Sequence, residues 1–297
     1  MKELFPCAFT VDVEDGITIA MRDVFNKNVP QTDRVLRCTH TVLDLLDQHK
    51  VKGTFFTLGM VAKDFPELIL RIVNEGHELA VHGFNHWQFH KMSLPKASEE
   101  LSTAKKLLED ISGVEVKGHR APAFSIHPAT SWAFDILAEC GFTYDSSIMP
   151  VSGFHYGWPG FSTDIKLVRT KQGNEIIEVP LPVMKILGKS VPFSGGSYLR
   201  LFPISLVENG FNKQIENGPA VLYMHPYEVD DIRYPDYYFE ALKNVSLLKQ
   251  LKIRSYWLGR KAMLSKLDRL LGKFHFATIS EILEIRKQKH PLSITQL

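Results

Sequence analysis

Cysteine is scarce in this 297-residue chain, which holds only Cys7, Cys38 and Cys140. An odd number of widely spaced thiols provides neither a disulfide framework nor the Cys-x-x-Cys knuckle of a structural zinc site. They read as small core hydrophobes in a reducing compartment. Long apolar runs are missing as well: no segment reaches the roughly 18 consecutive apolar residues that a membrane-crossing helix needs. The opening Met1-Lys2-Glu3-Leu4-Phe5-Pro6 shows no apolar leader before the first strand. The expectation is a cytoplasmic protein that does not span a membrane. Excess charge of one sign is also lacking, since 35 Lys+Arg against 33 Asp+Glu leave a net +2. No global field draws the chain to nucleic acid, and no nucleic-acid partner is expected. There is no fixed-period repeat and no low-complexity linker.

What the chain does have is a strand and helix alternation, with 44% hydrophobic residues to build a core. A strand is expected over residues 7–15, opening Cys-Ala-Phe-Thr-Val and turning acidic at Asp12-Val13-Glu14-Asp15. A helix from about Thr32 to Lys50 and a strand over 51–58 follow. A helix over 66–76 then leads to a strand over 77–81 with His82 at its tip. Helices over 95–111 and 128–140 flank a strand over 114–119 that runs into Arg120. A short strand at 142–144 runs into Asp145, and the strand 220–224 ends at His225. This alternation is the pattern of a parallel sheet or barrel, where sites assemble at the carboxyl ends of the strands. Residues 151–203 are richer in Gly and Pro and read as long loops of the kind that form substrate walls.

The polar residues at the strand ends suggest metal chemistry. His82-Gly83-Phe84-Asn85-His86 places two imidazoles four residues apart, able to face one ion. Asp12-Val13-Glu14-Asp15 offers a carboxylate, and Met224-His225-Pro226 offers a further histidine.

In motif order, these pieces resemble the polysaccharide deacetylases of the NodB type, carbohydrate esterase family four. Thr10-Val11-Asp12 with Glu14-Asp15-Gly16 resembles the family's Thr-Phe-Asp-Asp-Gly, and His82 to His86 its His-(Ser/Thr)-x-x-His. Arg120-Ala121-Pro122 resembles its Arg-x-Pro-aromatic, Asp145 its fourth motif and Leu222-Tyr223-Met224-His225 its fifth. Asp-Val-Glu-Asp, Phe-Ser-Gly-Gly-Ser-Tyr and His-Pro-Tyr-Glu look closest to the branch found in bacterial exopolysaccharide and surface-glycan clusters. The resemblance implies an α/β fold, a distorted (β/α) barrel with about seven strands, over residues 1–235. Residues 236–297 are expected to be a basic helical extension packed on that barrel. Three departures stand out: an inserted residue in the first motif, Gly83 in place of a hydroxyl residue, and Phe124 one position later than the usual aromatic, with Ala123 in its place.

The resemblance further implies a divalent metal, with zinc first and cobalt, nickel, iron or manganese as alternatives, held by His82, His86 and either Glu14 or Asp15. Asp12 would be the general base, held by Arg120. His225 would be the general acid, kept charged by Asp145 or a neighbouring acid. Backbone N–H groups just after Arg120 would complete an oxyanion hole. Phe124, Tyr156, Tyr198 and Tyr223 are the candidate substrate contacts. The implied reaction removes an N-acetyl, less often an O-acetyl, group from a sugar of a bacterial surface polysaccharide or its carrier-linked precursor. The alternatives are another C–N hydrolase of the same fold, such as a deformylase or an allantoinase-like enzyme, and a catalytically silent carbohydrate-binding relative. Residues 243–273 are basic, with Asp268 as their one acid. Their expected role is a solvated amphipathic face, with peripheral docking at the inner face of a membrane as the sharper alternative.

Overall fold

A computed structural model describes residues 4–153, 156–289 and 291–297. Its strands are β1 (Cys7–Val13), β2 (Thr54–Thr57), β3 (Glu78–Val81), β4 (Gly118–His119), β5 (Tyr144–Asp145) and β6 (Lys166–Arg169). They continue with β7 (Glu175–Glu178), β8 (Val183–Ile186), β9 (Lys189–Pro192), β10 (Ala220–Met224), β11 (Phe276–Ala277) and β12 (Ser293–Gln296). The helices are α1 (Gly16–Asp23), α2 (Arg34–Gln48), α3 (Gly59–Asp64), α4 (Pro66–Asn74), α5 (Leu94–Ser112) and α6 (Ala133–Glu139). After them come α7 (Gly196–Leu201), α8 (Ile204–Ile215), α9 (Asp236–Lys243), α10 (Leu247–Ser255), α11 (Met263–Leu271) and α12 (Ile279–Lys289). Among the described residues, no helix is long and apolar enough to cross a membrane.

Among the described residues, ten strands form one sheet in the order β10–β1–β2–β3–β4–β5–β7–β6–β12, with β11 against the start of β1. Every pairing in it is parallel except β6 with β7. Strand alternation sorts the side chains into two layers. Cys7, Phe9, Val11 and Val13 of β1 point to the outer core with Phe55, Leu79 and Val81, under the helices. Ala8, Phe56, Ala80, Tyr144, Val221 and Tyr223 point the other way, into a second core. The C-terminal helix α12 fills that inner core with Ile279, Ile282 and Leu283. Its first turn is tied to the amino ends of β2 and β3. Ile279 N–H donates to Thr54 Oγ1 at 2.8 Å, and Glu78 accepts from Ser280 N–H at 3.1 Å and from Tyr144 OH at 2.8 Å. With the amino ends of the strands plugged in this way, the carboxyl ends are left for the site.

The expected α/β architecture is present, with differences in detail. Residues 151–203 read as loops, yet they carry β6–β9 and α7. These strands are four residues each, as in Lys-Leu-Val-Arg and Glu-Ile-Ile-Glu, too short for periodicity to mark. The segment 236–297, read as helical, adds β11 and β12 to the sheet. Beside β10, Gly195 makes a parallel bridge to Tyr223. A Cβ at Gly195 would lie 2.1 Å from the Tyr223 carbonyl oxygen, so only glycine permits this approach.

Candidate active site

Asp12 belongs to the inner face of β1, and both it and Arg120 are buried. Arg120 Nη1 donates to Asp12 Oδ1 at 2.8 Å and to Thr10 Oγ1 at 2.7 Å. Its Nε reaches the Ser146 carbonyl and its Nη2 the Ser146 hydroxyl, both at 2.9 Å. The guanidinium also lies 4.1 Å from the centre of the Phe56 ring. Every nitrogen of the planar fork is therefore engaged, and Asp12 is held in one orientation. Removing one partner of such a pair leaves an uncompensated buried charge. Arg120→Met is expected to cost about 3–5 kcal/mol of unfolding free energy, read from urea denaturation; a loss under about 1 kcal/mol would show that Asp12 is stabilised by other groups.

β1 ends at Val13, and the next two acids diverge. Asp15 caps α1, its Oδ1 accepting from Ile17 N–H at 2.8 Å and from Thr18 N–H at 3.4 Å, while its Oδ2 accepts from Thr32 N–H. Glu14 instead turns toward the histidines. Its Oε2 lies 3.0 Å from His86 Nε2 and 3.6 Å from His82 Nε2. Glu14, His82 and His86 are all buried, and their ligand atoms all fall within 4.8 Å of one another. Of the two expected metal carboxylates, Asp15 stands outside this cluster, its oxygens turned to the first turn of α1 and to Thr32 N–H.

The triangle has the features of a cation site. His82 Nδ1 lies 2.9 Å from the Arg120 carbonyl oxygen, which makes Nδ1 the donor and turns Nε2, the nitrogen that a metal would take, toward Glu14. Glu14 Oε2 is buried and makes no well-formed hydrogen bond. Burial works against the charge on Glu14, yet the closeness of His86 and His82, with His225 beyond, holds its carboxyl well below the usual range. Converging nitrogen and oxygen lone pairs in a dry setting fit a divalent ion. The loop carrying the histidines is braced from both sides. Arg22 of α1 donates to the Asn85 and His86 carbonyls, and the buried Glu100 accepts from Asn85 N–H at 2.9 Å and Nδ2 at 2.7 Å. Gly83 sits at φ +79°, which suits glycine and explains why no hydroxyl residue stands there.

His225 approaches from β10, with Nε2 3.8 Å from Asp12 Oδ2 and 3.9 Å from Glu14 Oε1. Its ring stacks on Tyr227 at 4.9 Å. Glu228 Oε2 lies 3.4 Å from His225 Nδ1 and accepts the His225 backbone N–H at 3.0 Å. Arg200 Nε in turn holds Glu228 at 2.7 Å. Burial opposes the charge on His225, but the Glu228 bond and the charges of Glu14, Glu228 and Asp12 outweigh it and lift its pKa to about 9.

Of the two expected partners of His225, the one beside it is the neighbouring acid, Glu228, and not Asp145. Asp145 Oδ1 is 2.7 Å from His119 Nδ1 and accepts from Ser147 Oγ at 2.8 Å. Behind it lies Glu178, whose carboxyl burial and the charge of Asp145 push well upward. The N–H groups after Arg120 are partly used: Ala121 N–H donates to Ser147 Oγ at 2.7 Å, Pro122 has none, and Ala123 is the next in line.

These groups open onto a cavity of about 500 Å³. Asp12, Glu14, His82, His86 and His225 line it, as do Ala123 and all four expected aromatic contacts, Phe124, Tyr156, Tyr198 and Tyr223. Phe124 meets Tyr223 edge-on at 5.0 Å. Sequence reasoning left Glu228 unnamed as the acid neighbouring His225, and missed Arg200, Arg22 and the further wall formed by Tyr234, Tyr238, Tyr256 and Arg260. Of these only Glu228 carries a local signal, the capping-box spacing His225-Pro-Tyr-Glu228.

Residues 31–144 match the family described as polysaccharide deacetylase, and residues 146–284 match a domain of unknown function (DUF3473). The site draws His82, His86 and Arg120 from the first region and His225 and Glu228 from the second, with Asp12 and Glu14 preceding both. The chain is 35% identical over 101 residues to a chitooligosaccharide deacetylase of Bradyrhizobium sp., covering 34% of this chain and 44% of that protein. It is 36% identical over 87 residues to a peptidoglycan-N-acetylglucosamine deacetylase of Bacillus cereus, covering 29% and 32%. The matched stretch is thus less than half the length of these curated relatives. A solved structure from Mycobacterium smegmatis, assigned to the polysaccharide deacetylases, has the same fold. It aligns with 100% of this chain and 96% of its own at a TM-score of 0.64 and 23% identity.

Proposed function

Since the chain belongs to the polysaccharide deacetylase family, of the NodB type and carbohydrate esterase family four, we propose that it is a metal-dependent hydrolase removing N-acetyl groups from a sugar of a bacterial surface polysaccharide or its precursor. The observation that carries this reading is the Glu14, His82 and His86 triangle, flanked by the Asp12–Arg120 pair and by His225, at one cavity. The relatives' substrates, chitooligosaccharide and peptidoglycan, support an N-acetylated amino sugar as the group recognised.

Glu14, His82 and His86 would hold a divalent ion, which when bound would supply an activated water nucleophile and a Lewis acid for the acyl oxygen. Zinc suits two imidazoles and one carboxylate. Asp12, fixed by Arg120, is oriented to accept the proton of the attacking water. Ala123, which lines the cavity, would offer its N–H to the negative charge that develops on the acyl oxygen. His225, held charged by Glu228, donates a proton to the leaving amine, without which the C–N bond would have to expel an amide anion. Phe124, Tyr156, Tyr198 and Tyr223 present aromatic faces to the apolar faces of the sugar rings.

Zinc-loaded protein is expected to release acetate from N-acetylglucosamine oligomers or peptidoglycan fragments, to stop on chelation and to recover on adding zinc back. Release of formate alone from a formylated sugar would turn the reading to a deformylase. No hydrolysis of any acylated sugar at full metal occupancy would turn it to a silent binding relative.

A further inference from the structure

No Asp or Glu stands between Glu240 and Asp268 in the sequence, but much of the basic charge of residues 240–273 is already engaged by the fold. Arg260 is buried, its guanidinium 4.4 Å from the Trp257 ring centre and donating to Tyr234 OH. Lys266 donates to the Leu199, Arg200 and Phe202 carbonyls at the end of α7. Arg269 and Lys273 are exposed, but both pair with Glu208. The rest of the surface charge is narrower and differently composed. Lys249, Arg254 and Lys261 are exposed, and so are the leucines beside them: Leu247 at 69%, Leu251 at 55% and Leu258 at 56%. Leu247 and Leu251 are four apart on α10 and share a face. The turn at Gly259 packs against the end of α7, where a Cβ would lie 2.5 Å from the Arg200 carbonyl oxygen. That contact brings Leu258 to the same edge as Leu201, itself 51% exposed.

We propose that this face, α10 and the turn that follows it, docks on an anionic lipid surface. Exposed leucines interleaved with cations, with no acid among them, match a layer of apolar chains under anionic headgroups. A second copy of the chain is a poor occupant, because a twofold contact would set Lys249, Arg254 and Lys261 against their own kind. The face also borders the catalytic cavity: Tyr256 lines that cavity, and its carbonyl and that of Leu258 accept from Arg200. Docking there holds the cavity beside the headgroups, within reach of a sugar carried on a lipid.

The test is co-sedimentation of the full chain with vesicles of phosphatidylcholine, with and without an equal share of phosphatidylglycerol. Binding is expected only to the anionic vesicles at about 50 mM salt, fading toward about 500 mM as the attraction is screened. A variant carrying Lys249→Gln, Arg254→Gln and Lys261→Gln should bind roughly tenfold or more weakly, and Leu247→Ser with Leu251→Ser should also weaken binding. Acetate release from a soluble acetylated oligosaccharide should be unchanged in both, which separates loss of docking from loss of the catalytic reading, and thermal unfolding checks that each variant is folded. No sedimentation with anionic vesicles at low salt overturns the proposal. So does a concentration-dependent dimer that dissociates in the leucine variant, since a second copy would then be the occupant. Binding that the charge variant leaves intact overturns it too.

Discussion

Glu14→Gln, His82→Ala and His86→Ala are each expected to lose the bound metal and about 10³-fold in turnover, the scale of several kcal/mol of charge stabilisation. Each removes one of three lone pairs that converge within 4.8 Å of one another, and two ligands hold a divalent ion far more weakly than three. The fold should survive, because these side chains cap strand ends above the apolar layers. Glutamine keeps the volume of Glu14 and relieves a buried oxygen that makes no well-formed hydrogen bond. The contrast is with the neighbouring acid. Asp15→Asn should keep its metal and instead cost about 0.5–2 kcal/mol of stability through the weakened cap of α1. Metal stoichiometry measured by elemental analysis on the four variants decides between them. Loss of metal in Asp15→Asn with retention in Glu14→Gln would mean that the loop rearranges on loading and that Asp15 is the ligand.

That choice shows where sequence reasoning stops. The convergence of Asp12, His82, Arg120 and His225 could be read because each follows a short expected strand, and in a parallel sheet such strands end on the same side. The choice between Glu14 and Asp15 could not. Alternation puts Asp12 and Glu14 on one face of a strand, but β1 ends at Val13, and what removes Asp15 is an eight-residue helix too brief to declare itself by periodicity. Asp145 illustrates a second limit. It ends a strand as the others do, yet β5 stands beside β4, and the imidazole it meets is that of His119. The acid that reaches His225 lies three residues along the same chain, a local relation hidden because a His at the N-cap is an unusual partner for Glu at the third position. The plugging of the inner core by α12 was not legible for a different reason. Ile279, Ile282 and Leu283 form the apolar stripe of an ordinary amphipathic helix, and nothing local says which layer it will enter.

The second large effect concerns His225 and the acid that holds it. His225→Ala should reduce kcat by about 10²–10⁴-fold, the usual contribution of a positioned proton donor, with KM little changed. With its pKa raised to about 9, His225 is protonated, and so competent as a donor, at all lower pH. Activity should therefore fall on the alkaline side as the ring loses its proton. A cation beside Glu14 offsets part of the pull of that carboxylate, so the limb in the loaded enzyme should lie between about 6.5, the ordinary histidine value, and about 9. The sign for stability follows the same shift. A raised folded-state pKa contributes stability that is complete below the unfolded value and lost as pH rises through about 9. Glu228→Gln keeps the shape but removes the negative charge facing Nδ1, leaving Arg200 beside it uncompensated. Its alkaline limb should move to lower pH, kcat at neutral pH should fall, and metal content should stay at the wild-type level. Superimposable pH profiles for wild type and Glu228→Gln would show that Glu228 only braces the backbone at His225, and a His225→Ala effect confined to KM would make His225 a substrate contact. If the limb instead disappears in His225→Ala and shifts in Glu228→Gln, the proton given to the leaving amine is the one that Glu228 holds on the ring.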